Sequence, residues 1–319
     1  MKQILYKNEK FEARPDETVL DCLTRHQVII PHSCKSGVCQ SCVLKVKKGN
    51  PSPAAQKGLN EDLIKQNVIF SCQQKAEEDL ELVEVGEGLF ESDAIITGKK
   101  MLSESVVEIS LKLNRPMDFR PGQFINLIRQ DGVTRPYSIC WGDSHREMKL
   151  HVRKIPTGKM SSWLYDEQVQ GLEMVVRGPV GRCYYKEEFN SMDIILAGTG
   201  TGLAPLYGIL LSALKKNHSG NLHLLQGAVN PSGLYLVEEL KALENLYSNF
   251  HYTPCVMEGA NSSCVQGNLL DLAKDQKVQI NNTVVFLCGD PKIVNKMKTN
   301  FFLKGIPSKN ILSDPFVYS

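Results

Sequence analysis

The 319-residue sequence has almost no net charge: 37 Lys and Arg stand against 35 Asp and Glu, a formal +2. No lysine- or arginine-rich block gathers that charge into a patch, which argues against a nucleic-acid-binding surface. Long apolar runs are also missing. The longest, such as LYGILLSAL at 206–214, fall far short of the roughly 18 residues that a membrane span requires. The N-terminus, MKQILYKNEKFEARPDE, turns polar at once and offers no signal-peptide core. These absences set the expectation of a cytoplasmic chain without a membrane span or a nucleic-acid partner. Neither an internal repeat nor a low-complexity tract interrupts it.

What is present fits a globular chain with several cores: 42% hydrophobic and 23% charged residues. The length predicts two or three domains, at roughly 100–200 residues each. Residues 1–89 read as strand, turn, strand, a short helix opening near Asp16 and Glu17, and further strands in CVLKVKKGNPS and DLELVEV. GEGLFESDA, at 86–94, reads as a linker. From 90 to 190, short strands with turn punctuation (VVEISLKL, GQFINLIR, RPYSICW, MKLHVRKI, LEMVVRGP) predict an antiparallel barrel or sandwich, with one helix at KMSSWLYDEQ. From 191 to 319, buried-strand runs such as DIILAG and TVVFLCGD alternate with helical stretches, the grammar of a doubly wound α/β sheet.

Ten cysteines are too many to pass over. A secreted disulfide scaffold would need a short chain with a secretory address, and this chain has neither. Three of them lie in HSCKSGVCQSC, spaced Cys34-x4-Cys39-x2-Cys42, and the next is Cys72. A structural zinc usually shows two short pairs, and Cys72 has no near partner. A thiol redox pair at Cys39 and Cys42 would lack its βαβ surroundings and leave Cys34 and Cys72 unexplained. The spacing is that of a [2Fe–2S] cluster: a tight loop carries three thiolates and a remote segment brings the fourth. Gly37 supplies the positive-φ freedom of such a loop. Cys34, Cys39, Cys42 and Cys72 are the predicted metal ligands; Cys22, Cys140, Cys183, Cys255 and Cys264 carry no predicted role.

GTGTGLAP, at 198–205, follows a buried strand and opens a helix, as a phosphate-cradling loop does. It is not G-x-G-x-x-G, and no acid ends the next strand, LHLLQGAVN, so the usual dinucleotide fingerprint fails in detail. RPYS, at 135–138, lies on a barrel strand and means little alone.

Taken in order, these segments resemble the ferredoxin–NADP reductase superfamily, here with an N-terminal plant-type ferredoxin domain. That resemblance implies a β-grasp ferredoxin, an antiparallel β-barrel flavin domain and an α/β nucleotide-binding domain. It implies that Arg135 neutralises a flavin pyrophosphate, that Pro136 and Tyr137 line the flavin, and that Ser138 lies near its reactive ring nitrogen. In HVRKIPTGKMS, His151, Val152 and Arg153 run past the cofactor while Gly158 and Ser161 meet its pyrophosphate. GPVG adds a turn at Gly178 and Gly181. Gly200, Thr201, Gly202 and Pro205 match the family's pyridine-nucleotide loop. CGDP brings Cys288, Gly289 and Asp290 to the nicotinamide. The ending ILSDPFVYS sets Phe316 near the flavin, with Ser313 and Asp314 as candidate neighbours. Ser138, Cys288 and Phe316 are the implied catalytic residues.

The implied cofactors are [2Fe–2S], FAD and NADH, FAD being what relatives with an N-terminal ferredoxin domain use. Electron-transfer components of aromatic-ring dioxygenases and a reductase of deoxysugar biosynthesis share this order, so the implied partner is an electron-accepting oxygenase or dehydratase component. Two other readings remain: a free-flavin reductase, and a redox-sensing iron–sulfur module. NADH is expected over NADPH, because Gly227–Gly233 holds no cation for a 2′-phosphate and the nearest along the chain are Lys215 and Lys216.

Overall fold

The computed structural model describes residues 2–59, 61–85, 91–143 and 145–316, with Asp62 and Asp143 described by backbone alone. Within these residues the strands form three sheets. The first contains β1 (Lys2–Tyr6), β2 (Glu9–Ala13), β3 (Val43–Lys48), β4 (Val68–Phe70) and β5 (Leu80–Val83), in the order β2-β1-β5-β3-β4. Only β1 and β5 run parallel, which gives the mixed sheet of a β-grasp. Across it lies α1 (Val19–Arg25), whose Val19, Leu20, Cys22 and Leu23 are buried against Ile4, Phe70 and Leu80. The helix starts later than Asp16 and Glu17 suggest, because the side chain of Thr18 accepts from the Asp21 amide (3.1 Å) and Asp16 is left-handed (φ 61°). Two short helices, α2 (Pro53–Gln56) and α3 (Glu61–Lys65), precede β4.

The second sheet is a closed barrel of β6 (Glu91–Met101), β7 (Val106–Leu113), β8 (Phe124–Ile128), β9 (Thr134–Asp143), β10 (Glu147–Arg153) and β11 (Glu173–Val180). Closure removes the sheet edges that an open sandwich would expose. Glu91–Ala94, read as linker from sequence, are the start of β6, paired to β11; residues 86–90 of that linker lie outside the described residues. The alternation of β6 explains the strand: Ser92, Ala94 and Ile96 are buried while their neighbours face out. The predicted helix is α4 (Ser161–Asp166).

The third sheet is parallel throughout, in the order β15-β14-β13-β12-β16-β17, from β12 (Asp193–Thr199), β13 (Leu222–Ala228), β14 (Phe250–Val256), β15 (Val265–Gln266), β16 (Thr283–Gly289) and β17 (Ile311–Pro315). Helices α5 (Leu203–Lys215) and α6 (Val237–Leu246) cover one face; α7 (Leu269–Asp275) and α8 (Pro291–Leu303) cover the other. Ile194 and Leu196 of β12 join the first core, and Ile195 and Ala197 the second. Burial on both faces is why these strands read as continuous apolar runs. Among the described residues no helix is long and apolar enough to cross a membrane.

Where α5 packs on the barrel, two glycines allow close approach. A Cβ on Gly208 of α5 would lie 2.8 Å from the Cys140 carbonyl, and one on Gly122 would lie 2.3 Å from the Cys183 carbonyl. Any larger residue would push α5 off β9.

Candidate functional site

The loop between α1 and β3 is bent by left-handed residues, Lys35 (φ 51°), Gly37 (φ 76°) and Gln40 (φ 54°). Those bends turn amides onto sulfur. The Ser36 and Cys39 amides each donate to Cys34 Sγ at 3.3 Å, and Gln73 Nε2 donates to Cys72 Sγ at 3.4 Å. Cys72 follows β4 and is lashed to the loop where the Ser71 amide and hydroxyl donate to the Cys42 carbonyl, at 2.9 and 2.8 Å.

The four sulfurs form two hydrogen-bonded pairs. Cys34 is held down at about 4, chiefly by its bond with Cys39, whose own thiol is pushed up. Cys72 is held at about 7 by its bond with Cys42, which is pushed up in turn. A mononuclear zinc would draw all four sulfurs to about 3.8 Å of one another, given Zn–S bonds of about 2.3 Å. Among the described residues the one triplet of ligand-type atoms mutually within 4.8 Å is Glu108, Cys140 and His151, none of it from this loop. Two pairs of thiols with N–H donors turned onto sulfur would suit a two-iron cluster, whose ligand sulfurs are anionic.

The loop is also a wall. Ser33, Cys34, Val38 and Cys39 line the same cleft as Arg135, Pro136, Tyr137 and Ser138 of β9, His151 and Arg153 of β10, Gly158, Ser161, Thr201, Asp314 and Phe316. Two arginines and the rings of Phe124, Tyr137 and Phe316 suit an anionic, planar cofactor. Gly158 has no room for a side chain, since a Cβ would lie 2.4 Å from Ser161 Oγ. His151 is buried beside Tyr235 Oη (3.1 Å) and Glu108 (3.8 Å); desolvation lowers its pKa, while His151 and then Lys149 hold Glu108 at about 2. Ser138 Oγ donates to Asp314 Oδ2 at 3.4 Å, and loss of solvent raises that carboxyl to about 7.

The nucleotide loop lies where the strand order reverses, between β12 and β16, the crevice that open α/β sheets use for ligands. Gly200–Gly202 makes a 3-10 turn into α5, and Gly202 abuts β16 so closely that a Cβ would lie 2.3 Å from the Cys288 carbonyl. Asp290 caps α8, its carboxylate accepting from the amides of Lys292 (2.9 Å) and Ile293 (3.2 Å). The Phe316 amide donates to the Gly289 carbonyl (2.8 Å), which ties the C-terminal segment to this crevice.

Several expected residues are not in the cleft wall. Cys288 is fully buried, its Sγ 3.7 Å from that of Cys183. Val152 packs in the barrel core. Gly178 and Gly181 line a second cavity, between the first sheet and the barrel. Two features were not legible in the sequence: the cluster loop as a cleft wall, and Asp314 against Ser138, 176 positions apart. Only the SDPF ending hinted at the latter.

Comparison with known proteins agrees with this geometry. Residues 3–77 match the 2Fe-2S iron-sulfur cluster binding domain, 93–185 the oxidoreductase FAD-binding domain and 196–299 the oxidoreductase NAD-binding domain. The ferredoxin–NAD(+) reductase component of an alkene monooxygenase system from Xanthobacter autotrophicus is 30% identical, across 77% of this chain and 78% of that one. The chain belongs to the ferredoxin–NADP reductase superfamily. Within it, this reductase is 28% identical to the toluate 1,2-dioxygenase electron transfer component of Pseudomonas putida, over 97% of this chain and 95% of that one. Its fold is that of a cytochrome P450 reductase from Amycolatopsis, with a TM-score of 0.70, 23% identity and 99% coverage of both chains. The reductase thus carries sites for [2Fe–2S], FAD and NAD, and is an NADH-dependent iron–sulfur flavoprotein oxidoreductase.

Proposed function

We propose that the reductase passes electrons from NADH through FAD and the [2Fe–2S] cluster to a protein partner, an oxygenase or dehydratase component. The observation that carries this reading is the shared wall: cluster-loop residues and the RPYS strand line one cleft. When bound, the groups supply a hydride donor, a converter from two electrons to one, and a single-electron outlet; NADH yields NAD⁺, a proton and two electrons in all. Residues 1–89 serve as the ferredoxin unit, 90–190 as the flavin unit and 191–319 as the nucleotide unit, in a cytoplasmic protein.

The chain's own residues divide the work. Arg135 offers a charged fork to a pyrophosphate, Tyr137 and Phe316 offer flat apolar faces, and Gly158 gives a backbone approach. Ser138 donates its hydroxyl proton toward Asp314 Oδ2, which fixes the direction of its oxygen lone pairs. Cys34, Cys39, Cys42 and Cys72 ligate iron. Gly200, Thr201 and Gly202 present the nucleotide-phosphate amides; Pro205, Gly289 and Asp290 hold the loop and cap around them. Cys288, walled in by Cys183, acts through its backbone against Gly202.

The test is NADH-dependent reduction of cytochrome c. Saturable activity that disappears when the cluster is removed supports the electron-transfer chain. Activity that survives cluster removal, or that requires added free flavin, points to a free-flavin reductase. A stable cluster without NADH turnover would make the protein a sensor.

A further inference from the structure

We propose that Asn126 and Arg177 are positioning residues that clamp the cluster loop onto the flavin barrel, setting the contact through which single electrons reach the cluster; the proposal rests on the function above. Asn126 of β8 donates from Nδ2 to the Cys39 carbonyl at 3.1 Å, and Arg177 of β11 donates from Nη1 to the Ser41 carbonyl at 3.2 Å. The two carbonyls flank Gln40, where the loop turns through a left-handed residue. Both donors therefore grip the segment between ligands Cys39 and Cys42.

The barrel places the donors side by side. In the sheet register Asn126 pairs with Arg177 on one side and with Pro136 of the RPYS segment on the other. One row across three strands thus joins the clamp to the flavin strand, and the same loop lines the cleft through Val38 and Cys39. Asn126 is fully buried, yet its Oδ1 has no hydrogen-bond partner. A buried polar group half satisfied is unfavourable and needs a reason. Leucine would fill the site without that cost; what asparagine adds is the bond to the loop. Arg177 is also paired with Glu91, which gives a control: Glu91→Gln removes the ion pair and leaves the bond to Ser41 possible.

The experiment uses the fully loaded protein carrying Asn126→Asp, Arg177→Met or Glu91→Gln, with iron and flavin measured in each. Anaerobic stopped-flow with NADH follows flavin bleaching and cluster reduction separately, and amide hydrogen exchange follows Lys35–Ser41 without NADH. In Asn126→Asp and Arg177→Met, flavin bleaching should keep its wild-type rate, cluster reduction should slow about tenfold, and exchange in the loop should quicken; tenfold is about one net hydrogen bond. Glu91→Gln should match wild type. Wild-type cluster reduction and exchange in both clamp variants would overturn the proposal. So would slowing or loss of flavin in step with the cluster, which makes Asn126 a flavin contact, or a Glu91→Gln effect equal to that of Arg177→Met. If the wild-type protein bleaches its flavin and never reduces its cluster, the electron-transfer function fails, and the exchange measurement judges the clamp by itself.

Discussion

Three of the four cysteines proposed to ligate iron fall between Cys34 and Cys42, in one loop whose own amides turn onto sulfur. The cleft beside it draws its wall from Ser33 to Phe316, across the first sheet's loop, the barrel, α4 and the end of β17. A site held by metal–sulfur bonds can be compact in sequence, because each ligand bond is strong and the spacing sets the geometry. A site for a large planar cofactor is held by many weak contacts, and these come from wherever the fold brings surfaces together. The first kind fails all at once when one ligand is lost; the second fails by degrees.

The sharpest break of that contrast is Cys42→Ser. Iron should fall from about two per chain to near none, and NADH-dependent cytochrome c reduction should vanish, while flavin absorbance and ferricyanide reduction persist. Metal analysis with both assays checks it; cytochrome c reduction without iron would break the proposed route. Arg135→Ala should act by degrees: losing a charge-assisted bond costs about 1.5–3 kcal/mol, roughly 10- to 100-fold in flavin affinity. The variant should purify flavin-depleted with its iron intact, and full flavin occupancy would move the pyrophosphate site elsewhere.

A smaller effect concerns the nucleotide. Lys215 and Lys216 close α5, whose 13 residues carry them about 20 Å from the Gly202 end, and Lys216 is paired with Glu187 at 2.6 Å. They are at the wrong end of the helix for a 2′-phosphate at the crevice. NADH should therefore exceed NADPH by at least about tenfold in kcat/KM, or about 1.4 kcal/mol, measured at one ionic strength; a ratio near one would count against the empty loop. The smallest concerns Asp314. Its carboxyl, raised to about 7 when folded by loss of solvent, holds a proton that the unfolded chain, with an ordinary aspartate at about 3.9, has lost. Stability thus falls as pH rises between those values, by about 1 kcal/mol from pH 5 to 6, or roughly 2–4 °C in Tm. Asp314→Asn should flatten that slope in thermal melts; an unchanged slope would show that the carboxyl is ionised in the folded protein.

The sequence alone determined the four-cysteine pattern proposed to hold iron, the alternating strands of the barrel and the apolar runs of the parallel sheet, because each depends on a local pattern along the chain. It also carried the RPYS and GTGTGLAP segments as local patterns. Its errors were at edges: the helix after Asp16 and the Glu91–Ala94 end of the linker, where the Thr18 cap and pairing with β11 outweighed local composition. Only the tertiary structure decided that the four-cysteine loop shares a cleft wall with the RPYS strand, that Asp314 meets Ser138, that Cys288 is shut in by Cys183, and that Asn126 and Arg177 stand together behind Cys39 and Ser41. Each of those contacts joins separate strands or sheets, and the register of one sheet against another leaves no periodic trace in the chain. Local chemistry repeats along a sequence; packing between sheets does not.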